Sequence, residues 1–299
     1  MKRLISVILS LLILFGCQAK PLEWENLTIL SPKGAPALSL IPLLDEAKDQ
    51  IEFVDGTDVI SAELIKGEQD MIIAPVNLGA ALSKKGENQY RLYAVVTWGN
   101  LYLVGPSNTD ISTETVAIFG EQAVPGLVFK QVLNQSTEAF ASVTDVQGQL
   151  LAGQYKVGLL AEPLVTATIA KAKSLTPALE LSILSDLQEL WSNKTGQDNY
   201  PQAAIFVKSD LSEDKQAQID ARLLKMQAYN EAINQNPSQL ETDITEERLT
   251  QLGVPSGKIL ASAWERMNIN VQAIADVKDA VEVFLELFKL NGLENFYQE

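Results

Sequence analysis

Histidine is absent from this chain of 299 residues, and cysteine occurs once, at position 17. Without imidazole there is no Ser/His/Asp or Cys/His arrangement, most zinc sites are excluded, and the usual general base is missing. A single cysteine permits neither an intrachain disulfide nor a thiolate cluster, so no metal and no cofactor is expected. Positive charge is also scarce: 23 Lys and Arg stand against 38 Asp and Glu, a formal net charge of -15. Such a chain repels phosphate backbones and has no basic stripe, which excludes nucleic acid as a partner. No phosphate-cradling lysine loop occurs either.

What is present is an ordinary globular composition, 46% hydrophobic with a mean hydropathy near zero. Two domains or lobes are the expectation at this length.

The N-terminus reads MKRLISVILSLLILFGC: two cations, a mostly apolar stretch from Leu4 to Phe15, then Gly16 and the lone Cys17. That stretch falls short of the about 20 residues that span a bilayer, and it suits the core of a signal peptide. It resembles the bacterial lipoprotein signal, in which a Leu, two further residues and a Cys mark cleavage and lipid attachment. Here these are Leu14, Phe15, Gly16 and Cys17, with Phe15 larger than the residue usual at its position. The resemblance implies removal of residues 1–16, acylation (palmitate) at Cys17, and a linker over 17–26 that tethers the protein to the outer face of a cell membrane.

Beyond the linker, short apolar runs alternate with segments of helical period. LTIL (27–30), IEFV (51–54), MIIA (71–74), LYAVV (92–96), TVAIF (115–119), FASV (140–143), VGLLA (157–161) and QAAIFVK (202–208) read as strands bounded by turn residues. The segments between them place apolar residues at i, i+3 and i+4, several closed by glycine. Strand alternating with helix predicts an α/β fold with a mostly parallel sheet. From about residue 186 the pattern turns helical, with helices expected over 211–234, 239–252, 256–267 and 275–290. The last has an apolar face over an acidic polar face, which suits packing on a lobe rather than on a membrane.

The chain also repeats itself. SPKGAPALSL (31–40) follows one apolar run and GEQAVPGLVF (120–129) another; TDVISAELIKGEQDMIIAPVN (57–77) is echoed by TDVQGQLLAGQYKVGLLAEP (144–163). Thr57 and Asp58 align with Thr144 and Asp145, and Gly67 with Gly153. Two similar α/β lobes are the economical reading. A breaker-rich turn from strand into helix aims backbone N–H groups beyond the carboxyl edge of the sheet, where open α/β sheets bind ligands. Gly34, Ala35 and Pro36 form one such turn and Gln122, Ala123, Val124 and Pro125 the other. A second pair, APVNLG (74–79) and AEPLVT (161–166), offers Asn77 and Glu162.

SPKGAPALSL, VDGTDVISAELIKGEQDMIIAPVNLGAALSKKG, AVVTWGNLYLVG, GLLAEPLVTATIAK and NYPQAAIFVKSDL, in this order, resemble the substrate-binding lipoproteins of ABC importers, of the nitrate, sulfonate and thiamine-precursor type. The resemblance implies the class II periplasmic-binding-protein fold: two α/β lobes joined by two crossing strands, with a helical C-terminal region. The crossings would be VVTWGNLYLVG (95–105) and NYPQAAIFVK (199–208), giving lobe I from 27–98 and 203–299 and lobe II from 99–202. It carries ligand contact to Gly34, Ala35, Pro36, Val76, Asn77, Thr97, Trp98, Gly99, Asn100, Gln122, Ala123, Val124 and Glu162. Trp98 could stack on a planar ligand or simply pack the hinge. Tyr155, Trp191 and Tyr200 rank behind it.

The function so implied is binding without chemistry. A small organic solute, an anion or a planar heterocycle, would be captured between the lobes of a monomer and delivered to a membrane permease driven by a cytoplasmic ATPase. An enzyme is the alternative, since the fold also serves thiamine-pyrimidine and menaquinone precursor synthesis. Lys33, Asp55, Asp58 and Glu162 would then supply acid or base groups. A surface receptor coupled to no permease is the third reading.

Overall fold

The computed structural model describes residues 26–44 and 49–298. The expected signal peptide and Cys17 lie outside the described residues.

Strands that run as continuous apolar segments are buried on both faces, as parallel strands covered by helices must be. The elements are, in chain order, β1 (Thr28–Pro32), α1 (Ala35–Leu38), β2 (Gln50–Val54), α2 (Asp58–Lys66), β3 (Met71–Pro75), α3 (Val76–Lys84) and β4 (Tyr90–Trp98). Then follow β5 (Leu101–Pro106), β6 (Val116–Phe119), α4 (Val124–Val132), β7 (Thr137–Phe140), α5 (Val143–Leu151), β8 (Val157–Ala161), α6 (Leu164–Lys173), β9 (Leu181–Asp186) and α7 (Leu187–Thr195). The chain ends with β10 (Pro201–Lys208), α8 (Glu213–Gln235), α9 (Leu240–Asp243), α10 (Glu246–Leu252), α11 (Gly257–Met267), β11 (Ile269–Ala273) and α12 (Ile274–Leu287).

These strands form two mixed sheets, one per lobe, in the orders β11-β4-β10-β3-β1-β2 and β7-β6-β8-β5-β9. The repeat in the sequence is a repeat of topology. In lobe I, β1 pairs in parallel with β2 and β3, and β10 runs antiparallel to β3. In lobe II, β6 pairs in parallel with β7 and β8, and β5 runs antiparallel to β8. Each antiparallel strand is the one by which the chain arrives from the other lobe, and each pairs in turn with the strand by which the chain leaves, β10 with β4 and β5 with β9.

Details of the repeat differ. Thr57 is the N-cap of α2, whereas the α5 cap is Ser142, which accepts from the N–H of Asp145 in a capping box. Thr144 and Asp145 therefore lie inside the first turn of α5, because the stronger cap two residues earlier sets the helix start. The same cap moves β7 to Thr137–Phe140, three residues ahead of the expected strand. Strands β9 and β11, absent from the expectation, occupy the outer edges of the two sheets.

Edge strand β11 is closed off by a side chain. Asn230 of α8 donates from Nδ2 to the Ile269 carbonyl (2.8 Å) and accepts at Oδ1 from the Val271 N–H (3.3 Å), taking the place of a neighbouring strand.

One apolar cluster runs through both lobes. It joins Ile72, Leu92 and Phe206 of lobe I to Leu103, Ile118 and Leu159 of lobe II. Trp191 of α7, Tyr200 and Phe284 of α12 form its middle, with ring centroids 5.1 Å apart for Trp191–Tyr200 and 6.3 Å for the stacked Tyr200–Phe284 pair. Trp191 and Tyr200 are thus core residues. No helix among the described residues is long and apolar enough to cross a membrane.

Candidate functional site

The two crossings meet at Gly99. Its N–H donates to the Tyr200 carbonyl (2.9 Å) and to Asn199 Oδ1 (3.0 Å), and its carbonyl accepts from Asn268 Nδ2 (2.6 Å). Gln188 of α7 holds the start of β5, accepting from the Leu101 N–H (3.0 Å) and donating to the Leu101 carbonyl (3.1 Å). The hinge is therefore built of backbone bonds supported by the side-chain amides of Asn199, Asn268 and the buried Gln188.

At the first turn, Gly34 stands at φ +92° as the N-cap of α1, a conformation that suits glycine, and Pro36 sits in the first helical turn. The N–H groups of Lys33 and Gly34 do not face a cleft unpaired: they donate to the carbonyls of Val54 (3.0 Å) and Leu252 (2.9 Å). The C-terminal helices cover this turn, and Ala37 and Leu38 share a core with Leu252, Leu260 and Trp264. Ala35 is buried.

In the matching turn of lobe II, Gln122 is exposed, Ala123 is the N-cap of α4 and Val124 is buried. Ala123 and Gly126 both donate to the Gly120 carbonyl, at 2.9 and 3.0 Å.

Val76 is buried at the start of α3, and Asn77 follows it in the first turn. Thr97 is the penultimate residue of β4, which ends at Trp98, whose indole N–H donates to the Asn270 carbonyl (3.1 Å). Trp98 packs partly against the shared core, and it lines a depression of about 870 Å³ beside the hinge with Trp264, Asn199, Asn270 and Gln272. That depression shares only Trp98 with the residues expected from the turns.

Glu162 has the most elaborate surroundings. Its side chain is fully buried, and its carboxylate accepts from the Thr166 N–H (3.0 Å) and hydroxyl (2.8 Å), holding the first turn of α6. Arg266, from α11 of lobe I, donates Nε to the same carboxylate at 2.8 Å and Nη2 to Thr166 Oγ1 at 2.7 Å. The Arg266 carbonyl in turn accepts from the Tyr102 hydroxyl of lobe II (3.1 Å). Burial, foremost, and the charges of Asp186 and Glu162 push the Tyr102 phenol up from its ordinary range, so it stays protonated and a donor. Arg266 thus bridges the lobes by both side chain and backbone. Sequence reasoning missed it; the available signal was a lone cation at a helix end in a cation-poor chain.

Glu162 and Asn100 are also tied through their main chains, the Glu162 N–H donating to the Asn100 carbonyl (3.1 Å). Lys33 and Asp55 pair with each other on the surface at 2.7 Å, and Asp58 is exposed in the first turn of α2. Among the described residues, no group of three or more His, Cys, Asp or Glu could hold a metal ion.

No family model matches the sequence, and no curated protein matches it. Solved structures match in shape. An ABC transporter from Parabacteroides distasonis is similar with a TM-score of 0.72 at 24% identity, over 92% of this chain and 99% of that one. The ligand binding component of an ABC-type import system from Staphylococcus aureus, with zinc bound, has a TM-score of 0.63 at 10% identity, over 92% and 97%. The periplasmic aliphatic sulphonate binding protein SsuA from Escherichia coli has a TM-score of 0.62 at 15% identity, over 92% and 91%. At these identities the likeness is one of fold. The chain has the two-lobed class II periplasmic-binding-protein fold.

Proposed function

We propose that the chain is the extracytoplasmic solute-binding component of an ABC importer. It captures a small organic solute between its lobes and hands it to a membrane permease powered by a separate ATPase. The observation that carries this reading is the interlobe contact. Two copies of one lobe meet at a hinge of backbone bonds, and a half-exposed Arg266 on a buried Glu162 forms the link across it. A link with one exchangeable partner can open and close, and a ligand that contacts both walls shifts that balance. The shared aromatic core beside the hinge acts as the pivot and keeps the motion small.

The enzymatic reading has less support. Lys33 and Asp55 neutralise each other, Asp58 faces solvent, and Glu162 is held by Arg266.

Native mass spectrometry of the full chain purified in mild detergent tests the proposal. A retained small molecule, released on unfolding and rebound on refolding, is expected. Neither retention nor a thermal shift with any member of a solute panel would count against a binding protein.

The membrane anchor is part of the same proposal. Cys17→Ala is expected to abolish metabolic labelling by palmitate and leave the folded body intact; equal labelling of both proteins would remove the lipoprotein assignment.

A further inference from the structure

The hinge end of the first sheet holds polar atoms that nothing in the protein partners. Among the described residues, six buried side-chain N or O atoms have no hydrogen-bond partner, and four of them are Asn77 Oδ1, Thr97 Oγ1, Asn100 Oδ1 and Gln202 Oε1. The sheet register puts three of these residues at one end of the sheet, and Asn100 follows β4 at that end. β10 lies between β4 and β3, with Ala203 level with Thr97 on one side and with Pro75 on the other, so Thr97, Gln202 and Asn77 lie at the same end of three adjacent strands. Thr97 and Asn100 are 1% and 2% exposed. Asn100 uses its Nδ2 on the Glu162 carbonyl at 3.5 Å, which leaves Oδ1 as an acceptor. Buried polar atoms without partners carry their full desolvation penalty; the Thr97 hydroxyl can donate or accept, and the three amide oxygens call for N–H or O–H groups from outside the chain.

The electrostatics point the same way. An anion approaching α6 meets the Glu162 carboxylate, which already takes the Thr166 N–H. At α4 the Ala123 and Gly126 N–H groups go to Gly120, and Pro125 has none to offer. The N–H groups before α1 are spent on Val54 and Leu252. α3 retains the orphan N–H groups of its first turn, which suits an acceptor at the far end of the same ligand. The net charge of -15 draws cations toward the protein and slows the approach of anions.

What sits on the buried carboxylate is the protein's own guanidinium. The Glu162 side chain is 0% exposed, while that of Arg266 is 39% exposed. We infer that the cleft takes a small solute bearing an ammonium or guanidinium group, whose N–H donors meet the hinge oxygens and whose charge replaces Arg266 on Glu162. The inference rests on the binding-protein reading and narrows it, away from an anionic solute.

Calorimetric titration of the full chain in mild detergent tests it, with agmatine, putrescine and arginine as cationic probes, methanesulfonate and isethionate as anions, and thymine as a flat neutral ring. Saturable binding of a cationic probe is expected, weakened about ten- to a hundredfold by Glu162→Gln, which removes a charge-assisted partner. Should Glu162→Gln fail to fold, Arg266→Ala provides a second reading. Millimolar methylguanidinium chloride should then raise the unfolding temperature of the variant above an equal concentration of sodium chloride, and by more than it raises that of the parent. Binding of a sulfonate or thymine without any cation overturns the assignment and leaves the binding-protein reading standing, as does a co-purified molecule that lacks a cationic nitrogen. An Arg266→Ala variant that methylguanidinium does not stabilise also overturns it. No probe bound and no molecule retained would overturn both.

Discussion

Gly99 offers the sharpest test of how the hinge is built. A Cβ at this position would lie 2.3 Å from Cζ and 2.5 Å from Cε1 of Tyr200, and 2.6 Å from Oδ1 of Asn199. The tyrosine cannot retreat: it is fully buried, its hydroxyl donates to Gln188 Oε1 at 2.6 Å, and its ring is pressed between Trp191 and Phe284. Gly99 is not among the glycines with positive φ, so the cost of Gly99→Ala is one of contact and not of backbone strain. Overpacking of a closed core costs about 1–3 kcal/mol, and an overlap this deep with a ring this enclosed belongs at the upper end, about 3 kcal/mol. Urea unfolding followed by circular dichroism should show the midpoint fall by about 1 M. Gly148→Ala is the control of opposite sign. It is an exposed position in the middle of α5 with no atom within 4 Å of the added Cβ, and helix propensity predicts a gain of about 0.5–1 kcal/mol. A cycle with Tyr200→Leu completes the argument, since removing the ring should recover at least about 1 kcal/mol of the Gly99→Ala loss. A loss under about 0.5 kcal/mol, or strict additivity in the cycle, would refute the contact as the reason for glycine here.

Three further outcomes follow from contacts elsewhere. Ser142→Ala should cost about 1 kcal/mol by thermal unfolding, because it removes the hydroxyl that accepts from the Asp145 N–H and leaves only the backbone half of the α5 capping box. Asp49→Asn should cost about 3–5 kcal/mol in urea titration, since it removes the charge from a fully buried bidentate pair with Arg222, held at 2.6 and 2.9 Å. Stability should decline as pH rises above 10. Burial and the charge of Asp243 push the Tyr229 phenol up to about 12, and burial and Glu282 do the same for Tyr297. Between the ordinary value of 10.0 and about 12 the unfolded chain releases protons that the folded one keeps, so the stabilisation is complete below pH 10 and lost through that window. Tyrosinate absorbance should rise late in the native protein and near pH 10 in urea.

The central strands were legible because burial on both faces makes β3, β6 and β8 continuous apolar runs and leaves β1 with an apolar centre. The lobe repeat was legible for the same reason, whereas the crossings were implied by the family resemblance and not by the pattern. β9 and β11 were not. Their sequences, LSILSD and INVQA, are half polar because each lies at a sheet edge, and only β5 and β4 beside them make them strands. The turns were found, but the use of their N–H groups was not: the partner of Gly34 is Leu252, in a helix far along the chain. Glu162 was picked out for its polarity at a strand end. Its hold on the first turn of α6 is local, but its bridge to Arg266 depends on how the lobes meet, which no local pattern encodes.

The exchange of strands between the lobes has a consequence for how the chain matures. The second sheet is complete within residues 101–186, whereas in the first β10 lies between β3 and β4 and does not exist until residues 201–208 have been made. A chain emerging N-terminus first can therefore finish lobe II while β3 and β4 still lack the strand that joins them. The closure penalty for bridging so long an intervening segment grows only logarithmically, so the burden is one of time and not of final stability. During that interval the apolar edges of β3 and β4 are open to pairing with other chains and to proteases. A ribosome stalled before Pro201 would carry a finished lobe II behind an unfinished lobe I, the reverse of the order in which their first strands were synthesised.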